Sequence, residues 1–128
     1  MKQPVDSPEG LESVVRLLAE SDFERAHCRW DRDATLFTLQ TWRPATATAK
    51  PAGLLRKPGA EWVRCRLVFS HVRSFEIWEE YDVQPTQQSL IELDHGKGGL
   101  TIRLRSTHGL RIDLAVGRLE GLLEDEPR

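Results

Sequence analysis

The sequence predicts an α+β protein, mainly β, in which one N-terminal helix packs on an antiparallel sheet of about six strands. Two observations lead to this fold class. Apolar residues recur at helical spacing near the N-terminus, and after Phe23 the pattern changes to the alternation of half-buried strands. Long antiparallel sheets twist, so we expect this sheet to curl into a half-barrel. The 128 residues are about the length of one domain, and residues 1–128 are treated as a single domain.

The helix is predicted to begin after a capping signal at Asp6. Its side chain can accept from free amides of the first turn, Glu9 completes a capping box, and Pro8 lies where its missing N–H costs nothing. The helix is expected to end between residues 20 and 22. Its apolar face would hold Leu11, Val14, Val15, Leu17 and Leu18.

Two alternating segments predict the first hairpin. Residues 26–30 place Ala26, Cys28 and Trp30 on one face. Residues 31–33 are predicted as a turn, and residues 34–42 as the partner strand because they are rich in Thr, Leu, Phe and Trp.

The segment 43–61 interrupts the alternation. It contains three prolines, Pro44, Pro51 and Pro58, and proline prevents regular ladder bonding. We therefore expect a long Pro-rich loop at 43–61. After it, residues 62–69 predict a strand, and a bend leads to another strand around Phe75 and Ile77.

The last third predicts a three-stranded meander over residues 89–94, 100–106 and 110–116. Residues directly opposite each other must share a face, which favours a three-residue loop at 107–109 and a four-residue loop at 95–98. The tail 117–125 has leucines at helical spacing and predicts a short helical turn. The apolar pairs expected are Leu104 with Ile112, Ile102 with Leu114, Leu100 with Val116, Leu93 with Leu100 and Ile91 with Ile102. The polar pairs expected are Arg103 with Asp113, Arg105 with Arg111 and Glu92 with Thr101.

Composition disfavours several classes of function. The net charge of −2 is unlike that of a typical nucleic-acid binder. No apolar run approaches the roughly 20 residues of a membrane span, and the start lacks the apolar segment of a secretory signal, so we expect a cytoplasmic protein without membrane contact.

Cys28 and Cys65 form no C-x-x-C motif, and the four histidines are scattered along the sequence. We expect no metal and no cofactor.

No nucleophile–base pair is evident. His27 and Cys28 are adjacent and would face opposite sides of a strand. The glycine-rich residues 95–99 connect two strands, whereas a phosphate-binding loop connects a strand to a helix. These observations favour a non-enzymatic protein and leave the question of activity open.

The candidate partner-binding residues are tryptophans and acids. Four tryptophans are many for this length, and a tryptophan left on a sheet face is a good interface anchor. A local acidic group could form a docking surface or hold a cation. The residues predicted to bind a partner are Trp42, Trp78, Glu76, Glu79, Glu80 and Asp82.

Two blocks of the C-terminal half carry a resemblance. LVFSHVRSFEIW (residues 67–78) and SLIELDHGKGGLTIRLRSTHGLRIDLAV (residues 89–116) resemble a pattern in small bacterial proteins of unknown function, some of them immunity-like proteins of toxin–immunity systems. The shared features are an apolar strand ending in Phe-x-x-Val, a short strand and a meander. The resemblance implies a non-enzymatic domain that binds a partner protein.

Three hypotheses about function follow. The first is a non-catalytic protein-interaction module of a bacterial cytoplasmic protein, whose partner is another protein and whose oligomeric state is open. The alternative is a small-molecule-binding or hydrolytic domain, with a pocket in the mouth of the curled sheet. Its polar candidates are His71, Glu79, Tyr81 and Asp94. The third is nucleic-acid binding by Arg103, Arg105 and Arg111.

Overall fold

The described part of the chain consists mainly of strands, with one α-helix near the N-terminus. A computed structural model of the protein describes residues 1–19, 21, 23–45, 62–79, 90–96 and 99–126. In chain order the elements are β1 (Lys2–Val5), α1 (Pro8–Leu18), a 3-10 turn (Arg25–His27), β2 (Cys28–Asp31), β3 (Leu36–Pro44), β4 (Trp62–Phe69), β5 (Val72–Glu79), β6 (Leu90–Gly96), β7 (Gly99–Arg105), β8 (Leu110–Val116) and β9 (Gly121–Asp125).

These strands form two antiparallel sheets. Sheet A has the order β1-β9-β4-β3-β2, and sheet B has the order β5-β8-β7-β6. The prediction of a mainly β, antiparallel fold is confirmed. The prediction of about six strands in one half-barrel is wrong, because the described residues contain nine strands in two sheets that are not curled.

The chain passes between the two sheets twice, and both connections lie at the same corner. β4 leads into β5 through Ser70 and His71, and β8 leads into β9 through residues 117–120. The Ser70 amide donates to the Glu120 carbonyl at 2.8 Å, and the Gly117 amide donates to the His71 carbonyl at 2.9 Å. Strand periodicity shows which residues share a face. It does not show whether consecutive strands stay in one sheet, and for this reason the corner could not be predicted.

The core lies between the inner faces of the sheets and α1. Phe75 of β5 packs against Trp30 and Phe37, with ring centroids 5.3 and 5.5 Å apart, so β5 contacts β2 and β3 across the core. The largest fully buried side chains are Phe37, Phe69, Leu39, Leu67, Ile102, Leu104, Ile112, Leu114, Leu123, Val5, Val14 and Val72.

Helix α1 contacts strands of both sheets, namely β1, β3 and β6. Three residues of its predicted apolar face, Leu11, Val14 and Leu18, are buried, whereas Val15 and Leu17 are only partly buried. Its N-cap is Ser7 and not Asp6: Ser7 is extended, and its Oγ accepts from the Gly10 amide at 3.1 Å. Proline disfavours helical geometry in the residue before it, so Pro8 sets the cap at Ser7. The helix also ends earlier than predicted, at Leu18.

The strands at the two chain ends were not predicted. β1 pairs with β9, and β9 also pairs with β4, where Leu123 lies opposite Leu67. The predicted helical turn at 117–125 is therefore wrong. Its leucine spacing fits a helix, but two distant strands offer β9 complete hydrogen bonding and a core position for Leu123.

The hairpin between β7 and β8 has the predicted register. Leu104 pairs with Ile112 and Arg103 with Asp113, and Gly109 has φ 94°, as such a loop needs.

The register between β6 and β7 differs by two residues from the prediction. The observed pairs are His95 with Leu100, Leu93 with Ile102, Glu92 with Arg103 and Ile91 with Leu104. A shift of two keeps every side chain on its face, so face matching could not exclude it.

Other predicted boundaries shift by a few residues. The 3-10 turn precedes β2, which begins at Cys28 and not at Ala26. β3 extends to Pro44, so the start of the predicted loop 43–61 belongs to a strand. Residues 46–61 lie outside the described ranges.

In the part of the chain that the structure describes, no helix has the length and apolar character needed to cross a membrane.

Candidate functional site

The outer side of sheet B carries a dense set of charged side chains around one tryptophan. The four strands are paired in register, so their outward residues form rows across the sheet. One row runs Glu76, Asp113, Arg103, Glu92, and the next runs Trp78, Arg111, Arg105. We call this surface the charged face. Its members are Glu76, Trp78, Glu92, Asp94, Arg103, Arg105, Arg111 and Asp113.

Asp113 is the centre of the ion pairs on the charged face. Its carboxylate accepts from Arg111 Nε at 3.1 Å and Nη2 at 3.0 Å, and from Arg103 Nε at 3.3 Å. Glu92 lies 3.9 Å from Arg103 Nη1. Partial burial opposes ionisation of Asp113, but the two arginines outweigh it and lower the pKa of this carboxyl.

Trp78 stacks on one of these arginines. The Arg111 guanidinium carbon lies 4.9 Å from the centroid of the Trp78 ring, within the range of a cation–π contact. The same guanidinium is bound by Asp113, so its plane is held in place. Trp78 nevertheless stays 39% exposed. A large apolar ring is thus fixed on a sheet surface without being covered by the described residues.

Arg105 lies next to this stack and carries no ion pair within the described residues. It is directly opposite Arg111 and is exposed. Like charges directly opposite each other on a sheet are unfavourable, and Asp113 reduces this cost by binding Arg111. The Arg105 charge itself is left to solvent or to an external anion.

The structure divides the predicted partner-binding residues among different places. Trp78 and Glu76 lie together on the charged face. Trp42 lies on the outer side of sheet A, opposite Arg64 on β4. Glu79 is the last residue of β5. Because alternate residues of a strand share a face, it lies on the same side as Ile77, which is the inner side. Glu80 and Asp82 lie outside the described residues, as does the predicted pocket residue Tyr81.

The outer side of sheet A holds a second, smaller aromatic patch. Trp42 is 45% exposed and Trp62 is 39% exposed, and the Arg64 guanidinium carbon lies 5.6 Å from the Trp42 ring centroid. Arg64 also pairs with Glu126 at 3.3 Å. The cation–π contact here is longer than at Trp78.

The polar residues proposed for a small-molecule pocket do not converge. His71 precedes β5, where its ring contacts the Glu120 carboxylate, and Glu79 ends β5. The eight residues of β5 span about 25 Å. Asp94 lies on the charged face, on a different strand from Glu79. In the described ranges no three His, Cys, Asp or Glu side chains group as metal ligands would.

The two cysteines are poor nucleophiles in this structure. Burial raises the pKa of the Cys65 thiol to about 12 and that of the Cys28 thiol to about 11. Both thiols are therefore protonated at neutral pH, whereas the thiolate is the reactive form.

Arg111 and Arg105 are the site residues that sequence analysis did not assign to protein binding. Face matching predicts that they pair, and with Arg103 they are the residues predicted to bind a nucleic acid. The position of Trp78 opposite Arg111 depends on the pairing of β5 with β8, which the sequence did not show.

Comparisons with protein-family models, with curated proteins and with solved structures found no match for this chain.

Proposed function

We propose that this protein is a non-catalytic protein-binding module and that the charged face is its binding surface. The observation that carries the proposal is the Trp78–Arg111 stack beside Arg105, which has no ion pair in the described part of the chain. Tryptophan and arginine are the residues most enriched among those that dominate binding energy. The two stacked residues are held in position before a partner arrives, so their ordering costs little on binding.

The charges on this face define the partner's chemistry. A carboxylate of the partner would pair with Arg105, and an apolar group would cover the exposed part of Trp78. Glu76 is exposed opposite Asp113 and offers a position for a partner lysine or arginine. The partner surface therefore combines an apolar residue with charges of both signs.

The charge balance supports a protein over a nucleic acid. Three arginines share the face with four carboxylates, and Asp113 binds two of the three. A phosphate backbone needs cations that are free to replace its counterions. Arg105 alone is available for that purpose on this face.

The finer form of the proposal is an immunity-like role in a bacterial cytoplasm. It rests on the resemblance of residues 67–78 and 89–116 to small bacterial proteins of that kind. A toxic protein encoded by a neighbouring gene is then the first partner to test.

The test begins with co-elution of the purified chain with the products of neighbouring genes. For a partner found in this way, Trp78→Ala and Arg105→Ala should each weaken binding about 30-fold, which corresponds to about 2 kcal/mol. The matched control is Arg29→Ala, which removes an exposed arginine of β2 in the other sheet. Unchanged affinity in both charged-face variants would exclude this surface.

A further inference from the structure

Strand β6 forms one edge of sheet B, opposite the edge that carries Trp78. In the order β5-β8-β7-β6, its paired neighbour among the described residues is β7. An edge strand presents backbone N–H and C=O groups that another strand can bind.

The hydrogen-bonding pattern identifies which groups of β6 face outward from the sheet. The Ser106 amide donates to the Leu110 carbonyl of β8 at 2.8 Å. Backbone groups alternate along a strand, so the amides of Arg103 and Thr101 point the other way, toward β6. Their partners in register are Glu92 and Asp94. The intervening residues of β6, which are Ile91, Leu93 and His95, therefore direct their backbone groups to the open edge.

An apolar groove of about 290 Å³ lies between α1 and this strand. It is lined by Pro8, Leu11, Glu12, Val15, Ile91 and Leu93. The helix residues are spaced as one face of α1, and Ile91 and Leu93 are alternate residues of β6. A strand added beside β6 would place every second side chain on the same side as Ile91 and Leu93, at the groove.

The charges of β6 argue against a second copy of this chain as the occupant. The antiparallel self-pairings that are centred on the middle of β6 and keep the faces matched set Glu92 opposite Asp94, Glu92 opposite Glu92, or Asp94 opposite Asp94. Each register opposes two acids, which is unfavourable. A strand with basic residues at the outward positions would instead pair with Glu92 and Asp94. Glu12, the charged residue of the groove lining, is already paired with Arg16 at 2.6 Å, so the acids that would select the partner are Glu92 and Asp94.

We propose that the open edge of β6 binds an extended segment of a partner protein in which apolar and basic residues alternate. The partner's backbone pairs with Ile91, Leu93 and His95. Its apolar side chains enter the groove against α1, and its basic side chains face Glu92 and Asp94. Strand addition of this kind takes affinity from the main chain and specificity from alternate side chains. The site shares Glu92 and Asp94 with the charged face, but it is separate from the Trp78–Arg111 stack, because Trp78 lies on β5 at the other edge of sheet B.

The probe is a fluorescent eight-residue peptide of alternating valine and lysine, with blocked ends. Anisotropy titration of the full chain should show saturable binding with a Kd below about 100 μM. The matched peptide with glutamate in place of lysine should bind at least about tenfold more weakly, because two cross-strand pairs change sign. Hydrogen exchange at the Ile91, Leu93 and His95 amides should slow when the lysine peptide is bound.

Two substitutions at one exposed position isolate the strand edge. His95→Pro removes an edge N–H that points away from β7, the strand that pairs with β6 among the described residues, and proline is tolerated on edge strands at such positions. It should weaken the lysine peptide about tenfold or more. His95→Ala keeps the N–H and should bind within about twofold of the unaltered chain.

A third variant tests the charge. Asp94→Lys should weaken the lysine peptide and strengthen the glutamate peptide, each several-fold. Several results would overturn the proposal: no binding of either peptide, equal binding of both, an affinity that His95→Pro leaves unchanged, or self-association of the chain through β6. Because Trp78→Ala leaves this edge intact, loss of the charged-face interaction and loss of peptide binding are separable results.

Discussion

The guanidinium of Arg43 and the carboxylate of Asp125 form a bidentate ion pair, with both nitrogen–oxygen distances at 2.8 Å. Arg43 belongs to the inner side of β3 and is only 8% exposed. Asp125 ends β9 and also binds the N-terminal amine at 2.9 Å. The pair therefore connects β3 with β9 and with the start of β1, which are elements far apart in the sequence.

Asp125→Asn should destabilise the fold by about 3 kcal/mol, at the lower end of the range for breaking a buried ion pair. The reason is that Arg43 would keep its buried charge without its carboxylate. Urea unfolding at pH 7 measures the change. The control is Glu12→Gln, which breaks the exposed Glu12–Arg16 pair on α1 and should cost less than about 0.5 kcal/mol. Equal effects of the two substitutions would contradict a special role for the buried pair.

The same substitution should change the response to acid. The hydrogen bonds from Arg43 hold the pKa of Asp125 well below its ordinary value. A carboxyl with a lowered pKa contributes stability above the unfolded pKa, near 4, and loses it as the pH falls toward the folded value. The difference in unfolding free energy between the unaltered chain and Asp125→Asn should therefore narrow below about pH 4. A constant difference from pH 7 to pH 3 would disprove this linkage.

Asp113→Asn should weaken the charged face as a structural unit. It removes the carboxylate shared by Arg103 and Arg111 and leaves Arg105 opposite an arginine that has lost this carboxylate. We expect a loss of about 2 kcal/mol at low ionic strength. Because the repulsion that remains is screened, the loss should shrink at high salt. Asp94→Asn is the control: Asp94 is exposed and should contribute within about 0.5 kcal/mol. A loss that does not depend on salt would argue against arginine repulsion.

Two glycines near the corner between the sheets should differ sharply in their tolerance of alanine. A Cβ on Gly121 would lie 2.8 Å from the Val68 carbonyl oxygen and 2.9 Å from a ring carbon of Phe69. Gly121→Ala should therefore cost about 1–3 kcal/mol through overpacking. A Cβ on Gly117 meets only the end of the Arg73 side chain, at 3.4 Å, which can move. Thermal unfolding of both variants checks this contrast, and similar melting temperatures would show that β9 can shift away from β4.

The candidate site could be predicted only in part. Trp78 and Glu76 were singled out as partner-binding residues, and they share the charged face because alternate residues of one strand share a side. Trp42 was grouped with Trp78 on residue type alone, yet the two lie on different sheets. Arg111 joins Trp78 through the pairing of β5 with β8, which are separated by the 30 residues 80–109 of the chain.

The sequence by itself determined the local features of this protein. The β7–β8 register follows from face matching over a short loop, and the buried face of α1 follows from helical spacing. The division into two sheets, the β1–β9 pairing and the two-residue shift between β6 and β7 were decided by tertiary structure. The first two depend on which distant strands pair. The third is a shift in register that leaves every side chain on the same face of the sheet. Local periodicity is the same in either arrangement, so only the packing of the whole chain selects between them.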